Sequence, residues 1–424
     1  MPNIMPNLEK NVPIKVLYFT AVPLGLDNNG GSLCCRSHVQ RMAADKSLDL
    51  TVVVAGRQQI NEDAATHLKP YTENIVPIDL RDSNFRLLRK FRKMKATLNK
   101  LIADLPLGDL RYRHPHVDED FAAIVKKIDP EIIVVDYLPS IHLVPRIGKL
   151  GKPVCVITLN PETEFIKDSL AGKSETIKEW LRSYRTRRFE EKVFSQCLGI
   201  AALNKNDLPG NSGSNAVLAV IPPYFDQRPE RWTYQGNRRI FFVGNFKHYP
   251  NYRAADWISN RLAPEIFRLD PTVRFSIIGG YADDIRVSWN ASNIDFLGVS
   301  DKATVQQNFT NADLFIAPIE NNFGSKIKLL DALSHGTPFL ASGSAMSGLP
   351  FLSEIPQIDL NNPDGTAKQI LSLLDTPGAL NEISERAATA FTGFRQSQNG
   401  VWGDFFRQVL KRREDGDFIL EAAK

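Results

Sequence analysis

The sequence predicts an α/β protein built from two Rossmann-like, doubly wound parallel-sheet domains. Short apolar runs alternate with longer amphipathic segments, which is typical of parallel strands covered on both faces by helices. The alternation occurs in two series, separated by a polar, proline-containing stretch without periodicity at residues 225–238. With 424 residues, the chain exceeds the size at which a single core usually keeps growing. We therefore expect two domains that face each other across a cleft, because ligands bind beyond the carboxyl ends of such strands.

Each series supplies enough strands for one complete sheet. The predicted strands of the first series are 14–20, 50–56, 74–80, 131–137, 153–159, 198–203 and 216–223. Those of the second series are 240–244, 273–280, 294–298, 313–319, 338–343 and 357–360. The resulting organisation is a flexible N-terminus (1–13), a first domain (14–224), a linker (225–238), a second domain (239–395) and a C-terminal helical segment (396–424).

Composition indicates an ordinary globular protein, with 43% hydrophobic and 24% charged residues. The net charge of +4 is too small to suggest a nucleic-acid partner. The four cysteines form no CxxC pair, which fits a reducing compartment. Residues 1–13 lack the apolar core of a secretory signal, and no run of about 18 apolar residues occurs. We expect a cytoplasmic protein that meets a membrane, if at all, at the surface of its cytoplasmic face.

The stretch NNFGSKIKLLDALSHGTPFLASG, residues 321–343, follows a predicted strand and begins a helix. Gly324 permits close approach of the backbone, and the N–H groups of the helix start can bind a diphosphate together with Ser325 and Lys326. Lysines at positions 326 and 328 are unfavourable at a helix N-terminus unless an anion is bound there. Asp331, further along, can accept hydrogen bonds from a ribose diol. The alternative is a surface helix with solvated lysines.

This stretch resembles the donor site of family 4 glycosyltransferases with the GT-B fold, in the subgroup whose motif is GxRxKxLEAxxxG. The motif positions are occupied by Gly324, Lys326, Lys328, Asp331 and Gly336. Other stretches are similar to the same family in the expected order: residues 28–43, 159–165, 187–207, 241–266 and 296–319. The resemblance covers most of residues 14–390.

The resemblance implies transfer of a sugar from a nucleotide-sugar donor to a glycan, lipid-linked or small-molecule acceptor held by the first domain. It implies retention of configuration and no metal ion or other cofactor, because main-chain donors and cations can stabilise the diphosphate leaving group. Asp331 would bind the ribose, and the last helix would cross back to the first domain. The residues that would hold the donor diphosphate are Gly31, Gly324, Ser325, Lys326 and Lys328. For Gly31 a tight turn with positive φ is an equal alternative.

Three positions depart from the family pattern. Phe323 stands where the family has a glutamate, and Asp331 is shorter than the usual glutamate. Leu159 stands where a histidine is frequent. These departures motivate an alternative function, a catalytically inactive GT-B protein that binds a glycan or a protein partner. A dinucleotide-dependent oxidoreductase is disfavoured, because neither first strand leads into GxGxxG.

Asp136 and His116 are the acid–base candidates on the acceptor side, and Lys326 is the catalytic candidate on the donor side. Asp136 ends a predicted strand at the edge where clefts form. His116 belongs to the stretch RYRHPHVDEDF, which we interpret as a polar loop. The alternative for His116 is an exposed histidine without a catalytic role.

Residues 81–102 carry eight basic residues and one acidic residue, with apolar residues at helical spacing. A basic amphipathic helix of this kind can lie on an anionic membrane surface. Arg182, Arg185, Arg187 and Arg188 extend the same basic surface. The alternative is a helix that packs on the sheet and exposes a solvated basic face.

Overall fold

The computed structural model describes residues 12–25, 30–80, 115–136, 140, 144–170, 176–210, 215–224, 231–280, 291–324 and 326–415. Within these residues the chain forms two sheets, as the sequence predicts. The strands of the first sheet are β1 (Ile14–Thr20), β2 (Leu48–Gly56), β3 (Ile75–Asp79), β4 (Ile132–Asp136), β5 (Val154–Thr158), β6 (Gly199–Ala202) and β7 (Val217–Val220). Those of the second sheet are β8 (Arg239–Val243), β9 (Arg274–Ile278), β10 (Ile294–Gly298), β11 (Leu314–Ala317), β12 (Phe339–Ser342) and β13 (Gln357–Ile358).

Both sheets are doubly wound. The strand orders are β3-β2-β1-β4-β5-β6-β7 and β10-β9-β8-β11-β12-β13, and neighbouring strands pair in parallel. The order reverses between β1 and β4 in the first sheet and between β8 and β11 in the second. Such switch points are where open parallel sheets bind ligands. The predicted fold class is confirmed, and it defines two candidate binding edges.

Helices cover the faces of both sheets. Those of the first domain are α1 (Gly30–Ala44), α2 (Gln58–Leu68), α3 (Pro115–Ile128), α4 (Val144–Ile147), α5 (Glu162–Leu170) and α6 (Ile177–Phe194). Those that follow are α7 (Tyr249–Trp257), α8 (Ala263–Leu269), α9 (Lys302–Asn311), α10 (Ile327–Ser334), α11 (Gly343–Met346), α12 (Pro363–Leu374), α13 (Pro377–Ser397) and α14 (Val401–Glu414). A π-helical turn, Ile258–Leu262, joins α7 to α8.

The central strands are apolar on both faces because helices pack on both sides of each sheet. Every residue of β4, β5, β11 and β12 is buried. The first sheet separates two hydrophobic cores, and the second domain has its own core. These rigid strands fix the positions of the loops at their carboxyl ends.

The last helix, α14, packs on the first domain although it follows the second in sequence. Its residues Trp402, Phe405, Phe406 and Val409 are buried in the first-domain core. Gly199 on β6 leaves room for them, since a Cβ there would lie 2.8 Å from the Phe405 ring. The C-terminal segment therefore spans both domains.

The described half of the predicted linker, residues 231–238, is attached to the second domain. Trp232 Nε1 donates to the Ala312 carbonyl (3.1 Å). The Asp313 carboxylate accepts from the backbone N–H groups of Gln235, Gly236 and Arg238. Residues 81–102 and Ser325 lie outside the described residues.

Candidate active site

The loop between β11 and α10 lies at the switch point of the second sheet. Gly324 in this loop has φ +66°, a conformation that favours glycine. A side chain at this position would also overlap Asn160 Oδ1 of the first domain. Glycine is therefore required both by the backbone conformation and by the close approach of the other domain.

Two lysines lie at the start of α10. Lys326 is the N-cap residue, is buried, and donates through Nζ to the Phe323 carbonyl. Lys328 donates to Asn251 Oδ1 (2.6 Å), and its Nζ lies 5.9 Å from the centre of the Phe242 ring. Burial, and then the charge of Lys326, lower the pKa of Lys328 to about 7. A bound anion would favour the charged form of Lys328 and so oppose both of these effects on its pKa.

His248, the N-cap residue of α7, adds a third titratable side chain beside Lys326 and Lys328. Burial, and then the charges of Lys328 and Lys326, lower its pKa to about 4. Asn251 links the turn after β8 to the cluster, because it donates to the Asn245 carbonyl (3.0 Å) while accepting from Lys328. Sequence reasoning did not assign a role to His248. Its proximity to the lysines depends on the parallel neighbours β8 and β11.

Asp331 lies one turn after Lys328 on the same side of α10. Burial raises its pKa to about 6, whereas His335, Lys328 and Lys302 act in the opposite direction. The side chain is partly exposed. Its position next to the lysine cluster suits a hydrogen-bond acceptor, and the ribose-binding role stays a prediction.

The first domain brings a second helix N-terminus to this place. Gly30 and Gly31 form the first turn of α1, so the alternative of a tight turn with positive φ at Gly31 is wrong. A Cβ on Gly30 would lie 3.1 Å from Cδ1 of Ile327, the first residue of α10. Ile327 in turn packs against the first-domain core. The N-termini of α1 and α10 thus meet at the domain boundary, where N–H groups can bind an anion.

A loop of the first domain, residues 204–207 after β6, also contacts the loop before α10. Both carboxylate oxygens of Asp207 accept from Gly324 N–H, at 2.9 and 3.0 Å. Burial raises the pKa of Asp207 to about 7, although the Gly324 N–H and Lys326 lower it. Sequence reasoning missed this acid. The sequence feature that could have indicated Asp207 is the polar run Asn-Lys-Asn-Asp directly after a buried strand.

Asp136 ends β4 at the switch point of the first sheet, as its sequence position predicts. Its side chain is fully buried, where it accepts from the Tyr18 hydroxyl (2.6 Å) and from Ser140 Oγ (3.2 Å). Burial raises its pKa, and hydrogen bonds from Cys35, Tyr18, Thr20 and Ser140 oppose the shift. These contacts give Asp136 a structural role. Its catalytic role stays a prediction.

His116 lies in the first turn of α3, so its placement in a polar loop is wrong. Helix α3 begins at Pro115, and proline is favoured at a first helical position because its missing N–H has no intrahelical partner there. The structure describes the backbone of His116 but not the placement of its side chain. Its acid–base role stays a prediction.

Within the described ranges, groups of three or more His, Cys, Asp or Glu side chains arranged to hold a metal ion are absent. None of the helices described above is both long and apolar enough to cross a bilayer.

Known proteins resemble this chain in both sequence and structure. Residues 237–376 match the family described as Glycosyl transferases group 1. An uncharacterized 44.6 kDa protein in the cps region of Klebsiella pneumoniae is 19% identical over 397 residues, which cover 90% of this chain and 96% of the relative.

Solved structures match over nearly the whole chain. TarM of S. aureus has a TM-score of 0.64 at 11% identity, over 93% of this chain and 98% of its own. Anabaena HepE in complex with UDP and glucose has a TM-score of 0.60 at 11% identity, over 93% of this chain and 100% of its own. The chain therefore has the GT-B fold of these glycosyltransferase structures, and its second domain matches the group 1 glycosyl transferases.

Proposed function

We propose that this protein is a glycosyltransferase that transfers a sugar from a nucleotide-sugar donor to an acceptor held by its first domain. The lysine cluster at the meeting point of α1 and α10 carries this proposal. Lys326 and Lys328 are held close together beside the N-termini of two helices. Burial and the charge of Lys326 lower the pKa of Lys328. A diphosphate is the ligand that satisfies cations and helix N–H groups together. The match to group 1 glycosyl transferases and the UDP in a structural neighbour support the same ligand.

In the proposed reaction, the bond between the anomeric carbon of the sugar and the diphosphate oxygen breaks, and an acceptor hydroxyl oxygen bonds to that carbon. Negative charge develops on the leaving phosphate oxygen, and the proton lost by the acceptor hydroxyl balances this charge. Lys326 and the N–H groups of the first turn of α10 stabilise this charge, and Lys328 supports them. Asp331 accepts hydrogen bonds from the ribose hydroxyls. The lysines take the charge-neutralising role that a metal ion has in other sites, which is the basis for proposing transfer without a metal. We propose retention of configuration from the resemblance in the sequence.

The acceptor is proposed to be a glycan, a lipid-linked sugar or a small molecule. A TarM structure with fondaparinux, alpha-GlcNAc-glycerol and UDP supports a glycan acceptor beside a nucleotide. The cps-region relative fits a role in polysaccharide biosynthesis. His116 and Asp136 stay the acid–base candidates on this side. The burial of Asp136 favours positioning of the loops that follow β1 and β4 over direct contact with an acceptor.

The proposed activity is tested by incubating the protein with UDP-, GDP-, ADP- and dTDP-sugars and measuring release of the nucleoside diphosphate. We expect release from one base, with or without an added acceptor, and loss of release in Lys326→Ala. Binding of a nucleoside diphosphate without release from any sugar would favour the non-catalytic alternative that Phe323 and Leu159 motivate. Leu159 is a buried core residue, so the frequent histidine has no equivalent at that position.

We also propose that the first domain rests on an anionic membrane surface. Helix α6 exposes Ile177 (86%), Trp180 (54%) and Tyr184 (50%) along one stripe, and the rings of Trp180 and Tyr184 stack at 5.6 Å. Arg182 and Arg188 are also exposed on this helix. Aromatic residues together with arginines match the interface of an anionic bilayer. Together with the predicted basic helix at residues 81–102, α6 would make the protein peripheral.

Vesicle sedimentation tests this contact. Wild-type protein is expected to sediment with phosphatidylglycerol-containing vesicles at low salt and less at high salt, because screening weakens the arginine contribution. The double variant Trp180→Ser/Tyr184→Ser should lose most of the bound fraction. Tyr71→Ser, which removes another exposed aromatic residue of the first domain, is the control. Equal sedimentation of all three proteins would contradict the assignment of α6.

A further inference from the structure

Polar side chains of the first-domain loop 204–207 hold the loop that precedes α10. Asn204 Nδ2 donates to the Asn322 carbonyl (2.8 Å) and to Ser347 Oγ (3.2 Å). Asn206 Nδ2 donates to the same Asn322 carbonyl (3.1 Å). Because these residues are more than 100 positions apart, the contacts join the two domains directly at the proposed donor site.

Two glycines of the second domain leave space for side chains of the first domain. A Cβ on Gly348 would lie 3.0 Å from Asn204 Nδ2. Gly324 has its N–H directed at Asp207, and its missing side chain makes room for Asn160. The first domain therefore contacts the second at two positions where a side chain on the second domain would clash. This indicates a specific contact between the domains.

At the centre of this contact between the domains, the Asp207 carboxylate occupies a position that suits a bound anion. Both oxygens of Asp207 lie within 3.0 Å of Gly324 N, and the side chain is 3% exposed. Lys326 is close enough to favour the charged form of Asp207. A carboxylate on a backbone N–H beside a lysine at a helix start is bound as a phosphate group would be.

We propose that Asp207 is an intramolecular competitor of the donor: it holds the Gly324 N–H as an anion until the donor diphosphate binds. This inference rests on the proposed function. A second anion that enters the Lys326 and Lys328 cluster is repelled by Asp207 and competes for the same donor groups. Donor binding and the Asp207 contact therefore oppose each other, and by linkage each weakens the other by the same factor.

This opposition gives the domain boundary a function in the reaction cycle. Without donor, the contacts of Asn204, Asn206 and Asp207 keep the first domain on the loop before α10. Donor binding releases Asp207, so the two domains can adjust around the bound nucleotide. Loss of the nucleoside diphosphate after transfer restores the contact, which favours product release.

Calorimetric titration with UDP, GDP, ADP and dTDP, on wild type and on Asp207→Asn, tests the competition. The asparagine keeps one oxygen for the Gly324 N–H but removes the charge. We expect the nucleotide that binds the wild type to bind the variant about tenfold more tightly at low salt. Glu382→Gln, which removes one acid from an exposed ion pair on α13, should leave affinity unchanged.

Equal or weaker binding by Asp207→Asn would overturn the competition while leaving the proposed donor site intact. Failure of both proteins to bind any of the four nucleotides would overturn the proposed function and the competition together. Hydrogen exchange of the wild type gives a measurement that does not depend on a variant. We expect the bound nucleotide to protect residues 326–331 and to increase exchange in residues 204–207. Protection of both segments would overturn the competition.

Discussion

The switch points of the two domains have the same topology and opposite electrostatics. In the first domain, β1 and β4 present Tyr18 and Asp136, a carboxylate that accepts from neutral hydroxyl donors in a fully buried position. In the second, the helix starts that follow β8 and β11 present Lys328 with Asn251 as its neutral partner, and Lys326 beside it. The first switch point is therefore satisfied by the protein itself, whereas the second gains from an anionic ligand.

This comparison shows that strand order fixes where a site lies, and side-chain charge decides what binds there. A buried carboxylate that accepts several hydrogen bonds needs no ligand. Two neighbouring lysines raise the free energy of the protein unless an anion lies between or near them. Four experiments test this contrast, and the first of them has the largest expected effect.

Lys326→Ala should have the largest effect. Loss of the cation closest to the leaving phosphate is expected to reduce kcat/KM by about 100-fold or more, roughly 3 kcal/mol of transition-state stabilisation. The thermal unfolding midpoint should change little, because Lys326 is at a helix end. Lys368→Ala, which removes a lysine from an exposed ion pair on α12, is the matched control. Unchanged turnover in Lys326→Ala would remove this residue from the site.

Asp136→Ala should act on stability instead of donor binding. The substitution leaves the hydroxyls of Tyr18 and Ser140 without their buried acceptor, which costs about 1–3 kcal/mol of unfolding free energy. Asp136→Asn keeps one acceptor oxygen and should cost less. Thermal unfolding and nucleotide affinity are measured in parallel. An Asp136→Asn protein of wild-type stability that has lost turnover would assign a catalytic role to this residue.

Donor affinity should fall as pH rises from about 6 to 8. Lys328 loses its proton near its pKa of about 7, and Asp207 gains negative charge near the same pKa of about 7. Both changes disfavour an anionic ligand, so the dissociation constant is expected to rise roughly tenfold across this range. A nucleotide sugar is the suitable ligand, because its diphosphate keeps a constant charge there.

Lys328→Arg is the control for the pH experiment, because a guanidinium stays charged throughout the range. Its dissociation constant should depend less on pH than that of the wild type. An affinity that is constant or increases with pH in the wild type would contradict the assignment of Lys328 to the anion site.

Asp331→Glu should have the smallest effect. The longer side chain has the length usual in the resembling family, and the position is partly exposed, so the donor KM should change by less than about threefold. Asp331→Asn keeps the size but removes the charge and should raise KM more. Steady-state kinetics with the preferred donor measures both. A donor KM that neither substitution changes would contradict the assignment of Asp331 to the ribose.

The sequence predicted the strand ends within three residues, because buried parallel strands appear as continuous apolar runs with clear ends. It also placed Asp136, Gly324 and the two lysines at strand or helix ends. It could not predict the contact between Asp207 and Gly324, since 117 positions separate them and only the packing of the domains brings them together. Gly31 was ambiguous because a glycine pair suits a turn as well as a helix start.

A thermal-shift comparison tests the central claim, that the lysines at the start of α10 bind a nucleoside diphosphate. Wild type and Lys326→Ala are heated with UDP, GDP, ADP or dTDP, with NAD as control. At about 100 times its dissociation constant, the correct nucleotide should stabilise the wild type by roughly 2.7 kcal/mol. We predict this shift for one base in the wild type and its loss in the variant. No shift with any nucleotide, or equal shifts in both proteins, would contradict the account.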